Sequence, residues 1–129
     1  MVLDTSAIVA ILFDEPERFA FNRLIEEAPV RLLSAVSRVE TSIVVESRKG
    51  RIGRRQLDRL LSVGSIEVVP VTAPLAELAC EAHRRFGRGR HPAALNIGDC
   101  FVYALAKATG EPLLCKGEDF TRTDLTIAR

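Results

Sequence analysis

Four carboxylates stand at places in this 129-residue chain where their oxygens could share one pocket. Asp4 ends the short apolar run Val2-Leu3 and opens Asp4-Thr5-Ser6-Ala7. Glu40 lies in the first turn of a helical segment behind a second apolar run, 30–33. Asp99 opens the apolar stretch Cys100-Phe101-Val102-Tyr103-Ala104-Leu105-Ala106. Asp119 follows Pro112-Leu113-Leu114-Cys115, within Lys116-Gly117-Glu118-Asp119-Phe120. Carboxylates do not gather freely, because two unit charges 4 Å apart repel by about 4 kcal/mol at an effective dielectric of 20. A cluster at neutral pH needs a cation or retained protons. An all-oxygen set suits Mg²⁺ or Mn²⁺, hard ions that take carboxylate, water and phosphate oxygens. Such ions polarise a phosphodiester and activate water for in-line displacement. No covalent route competes, since neither His83 nor His91 stands in a Ser/His/Asp or Cys/His arrangement.

Each acid also has a plain structural reading. Asp4 could cap the helix that follows it. Ser37 and Glu40 have the spacing of a capping box. Asp99 could complement the dipole of a helix capped by Asn96. Asp119 could be a turn residue, with Glu118 beside it as a rival for the fourth acid. Glu40 exceeds its plain reading, because it falls within the stripe Val36, Val39, Ile43 and Val44. That stripe is expected to face the core, where a carboxylate needs a partner.

Two basic runs bear on a substrate. Arg48, Lys49, Arg51, Arg54 and Arg55 surround Gly50 and Gly53 and read as solvated surface charge. Arg84, Arg85, Arg88, Arg90 and His91 lead into Asn96 and Asp99. The glycines among them predict a mobile loop. Arg85, Arg88 and Arg90, with Lys116, are therefore the candidates to hold phosphates.

The elements that must position these residues follow from periodicity. Short apolar runs at 2–3, 30–33, 66–71 and 112–115, with a fifth candidate at 125–127, alternate with helical patterns. The helical patterns cover 6–13, 17–27, 37–49, 54–63, 74–86 and 98–109. This predicts a single α/β domain over residues 1–129. Its architecture is a three-layer α/β/α sandwich around a mainly parallel sheet of four to five strands. In such sheets ligands collect beyond the carboxyl ends of the strands, where the four acids fall.

Composition narrows the classes. A hydrophobic fraction of 47% excludes intrinsic disorder. Eighteen Lys and Arg against seventeen Asp and Glu leave a net charge of +1, so bulk charge neither predicts nor excludes a polyanion. Cys80, Cys100 and Cys115 form an odd set without a CxxC pair. They predict buried free thiols in a reducing cytoplasm rather than disulfides or a zinc ribbon. The opening Met1-Val2-Leu3-Asp4 lacks a basic signal region, and no apolar run is long enough to span a membrane.

Four segments carry a family resemblance: Val2-Leu3-Asp4-Thr5-Ser6-Ala7, the Ser37-x-x-Glu40 step, Asn96-Ile97-Gly98-Asp99, and Lys116-Gly117-Glu118-Asp119-Phe120. In order and spacing the chain resembles PIN-domain ribonucleases, and more closely the VapC toxins of bacterial type II toxin–antitoxin systems. The resemblance implies a Mg²⁺ or Mn²⁺ site of Asp4, Glu40, Asp99 and Asp119, with polar support from Ser6 and Thr5, to which Asn96 is added. It implies hydrolysis of single-stranded or loop RNA, a homodimer, and a VapB-type antitoxin that blocks the site. The alternative is an idle PIN-like module that binds RNA or antitoxin without cleaving. A phosphoacceptor receiver domain does not fit, because Val69-Pro70-Val71-Thr72 ends without an acid. A haloacid-dehalogenase-like phosphatase does not fit either, because Asp4-Thr5-Ser6 lacks a second aspartate.

Overall fold

A computed structural model describes residues 1–129. Val2–Leu3 (β1), Leu32–Ser34 (β2), Glu67–Val69 (β3) and Leu113–Leu114 (β4) form one parallel sheet in the order β3-β2-β1-β4. The helices are α1 (Thr5–Leu12), α2 (Arg18–Glu27), α3 (Ala35–Val63), α4 (Ala73–Phe86) and α5 (Ile97–Thr109). A 3₁₀ turn covers Phe120–Arg122.

Side chains alternate across a strand, and here the alternation separates two cores. Val2, Leu32 and Leu113 pack with Ala79, Ala82, Val102 and Leu105 of α4 and α5. Leu3, Leu33 and Leu114 point the other way, onto Ile8, Ile11, Ile25 and Leu57 of α1, α2 and α3. Strands β1, β2 and β4 are buried on both faces, as the interior of a parallel sheet requires, while β3 at the edge is exposed. The result is helices, sheet, helices in three layers.

Several expectations are corrected. The fifth strand at 125–127 reduces to one bridge between Leu113 and Ile127. The run at 66–71 supplies only an exposed edge strand, Glu67–Val69. The two helices expected at 37–49 and 54–63 abut within α3, at a break where Gly50 takes φ 56° and ψ −140°. Only glycine adopts that backbone without strain. Beyond the break the second arm folds back on the first. Arg38 of the first arm reaches Asp58 of the second, N···O 3.0 Å. A Cβ on Gly53 would meet the Val45 carbonyl oxygen at 2.9 Å, so glycine permits the close crossing.

Three local readings change as well. Helix α3 is capped by Ser34, whose hydroxyl accepts from Val36 N, not by Ser37. Glu40 therefore sits in the second turn, and no Ser37–Glu40 capping box exists. The stripe Val36, Val39, Ile43 and Val44 does not enter the core: Val39 is 59% and Ile43 64% exposed. The buried face of that arm is Ser37, Thr41 and Val45. Cys80 is exposed, while Cys100 and Cys115 are buried, and all three are free thiols. No helix is long and apolar enough to cross a membrane.

Candidate active site

Chain order places the acids. Strand β1 ends at Leu3, and Asp4 N donates to Leu114 O of the neighbouring β4 at 2.9 Å. Asp4 is thereby fixed between the carboxyl ends of two adjacent strands. It is 8% exposed and caps α1 by accepting from Ser6 N at 3.0 Å. The same carboxylate oxygen accepts from Ser6 Oγ at 2.6 Å. Ser6 Oγ in turn accepts from Lys116 N at 2.9 Å. One hydroxyl thus ties the β1 acid to the turn that follows β4.

Glu40 arrives from α3. Its carboxylate lies against Gly98 at the start of α5, where an added Cβ would come within 2.5 Å of Oε2. The neighbouring Thr5 side chain favours its ionised form. Behind Thr5 stands the fully buried Thr41, 3.3 Å away between hydroxyls, which donates to Ser37 O at 2.6 Å. Asp99 forms a reciprocal capping box with Asn96: Asn96 N donates to Asp99 Oδ2 at 3.0 Å, and Asp99 N to Asn96 Oδ1 at 2.9 Å. Asp119 precedes the 3₁₀ turn and is exposed. Glu118 instead bonds to Thr121.

The electrostatics bind these positions together. Burial raises the Asp4 carboxyl, against which the Ser6 and Thr5 hydrogen bonds work, and the Asp119 charge adds to the rise. Burial and the Asp4 charge raise Glu40, relieved by Thr5. Asp99 is pushed up to about 6, first by burial, then by Asp4, Asp119 and Glu40, with the Asn96 backbone opposing. Asp119, and not Glu118, is the acid felt by Asp4 and Asp99. None of the four carboxylates takes part in an ion pair. Burial and the same charges push the Cys115 thiol up to about 12, so it stands neutral among the acids. Cys100 is also raised, by burial and Asp99, which removes it as an activated thiolate.

The basic candidates take different positions, with Arg88 lining a cavity beside Asn96 and Ile97 at the start of α5. Arg85 donates to Tyr103 Oη at 3.2 Å and pairs with Asp124 at 3.6 Å, so it anchors the C-terminal segment. The Lys116 ammonium pairs with Glu15 and Glu17. Arg88 and Arg90 are exposed on a loop that is closed, not open-ended: Arg88 N donates to Leu95 O at 3.0 Å and Leu95 N to Phe86 O at 2.9 Å. The roles of Gly98 and Thr41 were not legible beforehand. Glycine at a helix start and threonine on a polar-looking face carry no chemical signal without the partner that approaches them.

The donor set fits a hard divalent cation. It is all oxygen, it has no neutralising cation of its own, and Gly98 clears the space into which Glu40 reaches. No three His, Cys, Asp or Glu side chains stand close enough together to ligate one ion as the chain lies here, so the acids are neighbours by charge rather than a formed coordination shell. Mg²⁺ would bind through a few of these carboxylates and keep several waters.

A PIN-domain family model matches residues 1–125. A Mycolicibacterium smegmatis protein named Ribonuclease VapC is 53% identical over 125 residues, 97% of each chain. The chain belongs to the PIN-domain family, among the VapC ribonucleases. Ribonuclease VapC30 of Mycobacterium tuberculosis H37Rv is 50% identical over 129 residues, 99% of this chain and 98% of that one. Among solved structures, Mycobacterium tuberculosis VapC20, described as a sarcin-ricin loop cleaving toxin, aligns with a TM-score of 0.80 at 21% identity, covering 99% of this chain and 98% of that one. VapBC2 from Rickettsia felis, bound to a promoter DNA fragment, aligns with a TM-score of 0.78 at 17% identity, covering 98% and 94%. The VapC relatives thus share this fold from end to end.

Proposed function

We propose that this VapC-family chain is the toxin of a type II toxin–antitoxin pair, acting as a Mg²⁺- or Mn²⁺-dependent endoribonuclease. The observation that carries the catalytic part is the group of four unpaired, mutually coupled carboxylates at the carboxyl ends of β1, β2 and β4 and the start of α5. Asp4, Glu40, Asp99 and Asp119 would hold the cation. When bound there, the ion supplies Lewis acidity toward the scissile phosphodiester and activates water for attack at phosphorus.

The chain's own residues do the rest. Ser6 holds Asp4 in one orientation by two hydrogen bonds, from its hydroxyl and its N–H. Thr5 and Gly98 set the reach of Glu40. Asn96 aims Asp99. Without a cation, burial and the neighbouring acids keep Asp99 protonated to a higher pH than an ordinary carboxyl, and a cation there would favour its ionised, ligating form. Asp119 stands at the exposed mouth, where a phosphate enters.

Relatives bearing the name Ribonuclease VapC support RNA as the substrate. Neighbours solved as a VapBC pair and as a toxin–antitoxin complex from Klebsiella pneumoniae support a VapB-type antitoxin as partner. A cytoplasmic homodimer completes the reading.

The test separates a cap from a ligand. Asn caps a helix about as well as Asp, so Asp4→Asn should fold normally. It should lose most Mg²⁺-dependent cleavage of total RNA and no longer arrest growth when expressed without antitoxin. Equal cleavage by wild type and Asp4→Asn would overturn the catalytic reading and leave the idle binding module.

A further inference from the structure

Of the two basic runs, the first holds more unpaired charge than sequence suggests, while the second keeps only Arg88 and Arg90 as exposed, unpaired arginines. In the second, Arg84 pairs with Glu81 and Arg85 with Asp124. In the first, Arg48, Arg51, Arg54 and Arg55, joined by Arg59, are all exposed, and none forms an ion pair or a hydrogen bond. Residues 48–59 hold six of the eighteen cations and one of the seventeen acids, so they carry +5 while the rest of the chain carries −4. The single acid, Asp58, is already paired with Arg38.

The fold concentrates this charge. The two arms of α3 meet at Gly50, and the basic residues cluster on both sides of that elbow. On the second arm Arg51, Arg55 and Arg59 fall within about 80° of one another around the helix axis. Gly53, Leu57 and Leu60, which pack inward, occupy the opposite side. Arg48 is steadied at the elbow, its guanidinium 4.9 Å from the Phe13 ring centroid. Lys49 is spent internally, donating to Leu12 O at 2.7 Å. Five like charges held together without counter-ions repel one another, and a polyanion removes that cost. All five are arginine, whose planar fork matches phosphate oxygens in pairs. Successive turns place them about 6 Å apart, the scale of neighbouring phosphates along one strand.

We infer that the α3 elbow is a second RNA-backbone site, outside the acidic pocket, that holds the strand flanking the cleaved bond. Glu40 and Arg48 share one arm, eight residues or about 12 Å apart along its axis. A strand only a few nucleotides long spans that distance. The inference rests on the ribonuclease reading for the identity of the polyanion. The charge and geometry stand without it.

The experiment uses the full chain in EDTA, so that neither cleavage nor a cation at the acidic pocket contributes. A fluorescein-labelled, mixed-sequence single-stranded RNA of about 20 nucleotides is titrated between about 50 and 200 mM salt. Replacing Arg51, Arg55 and Arg59 together by Gln should weaken binding about tenfold or more at the lower salt and flatten the slope of log K against log salt by about 2, near 0.7 per lost contact. The melting temperature should hold or rise slightly, since these side chains are exposed and unpaired and their loss relieves like-charge repulsion. Unchanged affinity and slope would overturn the site. So would wild-type binding to a polyglutamate peptide as tight as to the RNA, because the elbow would then read carboxylates and point to a protein partner. The outcomes are separable: RNA cleavage in Mg²⁺ with an unaltered slope refutes the elbow alone. A changed slope in a protein that cleaves no RNA keeps the elbow and refutes the catalytic reading.

Discussion

The Glu40 carboxylate rests on the backbone of Gly98: an added Cβ would stand 2.5 Å from Oε2 and 2.6 Å from Oε1. A methyl group there must displace the carboxylate, and the far end of a glutamate moves cheaply. Gly98→Ala should therefore leave stability unchanged or slightly raised, since Ala is favoured over Gly in a helix by up to about 1 kcal/mol. Cleavage should fall by about tenfold or more, because misplacement by about an ångström can cost a hundredfold. Thermal melting and an RNA cleavage assay on the same preparation check this. Wild-type activity in Gly98→Ala would show that the seat of Glu40 does not matter.

Ser6 serves two strands at once, donating to Asp4 and accepting from Lys116 N. Ser6→Ala removes both bonds, and with them a contact that lowers the Asp4 pKa. Stability should drop by about 1–3 kcal/mol, since a buried hydrogen-bonding group loses its partner. The pH at which activity rises should move upward. Ser6→Thr keeps the hydroxyl and should restore much of both. A pH–rate profile that is the same in Ser6→Ala as in wild type would reduce Ser6 to a helix-start residue.

Tyr103, Arg85, Lys107 and Asp124 form a closed knot between α5, α4 and the C-terminal segment. Tyr103 Oη donates to Asp124 at 2.7 Å, and Lys107 Nζ reaches its other oxygen at 2.7 Å. The phenol is pushed up to about 12, first by burial and then by Asp124. Tyr103→Phe should cost about 1.5–3 kcal/mol, the range for a hydrogen bond to a charged group. Arg85→Ala should likewise lower the melting temperature while leaving the salt slope of RNA binding unchanged. A flattened slope in Arg85→Ala would return this residue to the substrate surface.

The fold was legible from sequence because each element carries its own period. The helix starts at Asp4 and Asn96, and the apolar pairs Val2-Leu3 and Leu113-Leu114, sit where their local chemistry places them. The face of α3 was not legible. Hydrophobicity pointed to Val39 and Ile43, whereas the packed face is Ser37, Thr41 and Val45. Small and polar residues allow the close approach of α1, and no periodicity of apolar residues reports that. Charge runs have the same limit. Arg85 looks free until the fold brings Asp124 to it across 39 positions, and Arg51 and Arg55 look ordinary until no acid arrives.

The acidic pocket should make stability fall as pH rises, when metal is absent. An ordinary carboxyl at this position titrates at 3.8, while Asp99 in the folded chain titrates at about 6. Between those values the unfolded chain has released a proton that the folded chain still holds. Folding therefore binds protons, and the slope of stability with pH is negative over that window. Below about pH 4 both states are protonated and the penalty vanishes. Above about pH 6 both are ionised and the penalty is complete. Asp4 and Glu40 are raised as well and act with the same sign. Asp124, whose carboxyl is lowered, acts oppositely, so the informative quantity is the difference between variants. In EDTA, the melting temperature of wild type should decline relative to Asp99→Asn from about pH 4 to 6, then run parallel to it. A divalent cation binds the ionised carboxylates, so Mg²⁺ or Mn²⁺ should raise the wild-type melting temperature most above about pH 6 and hardly at all at pH 4. Asp99→Asn should retain only part of that gain. Melting curves with and without metal across this range decide the matter. A wild type indifferent to both chelator and metal at neutral pH would mean that the four carboxylates do not share a cation.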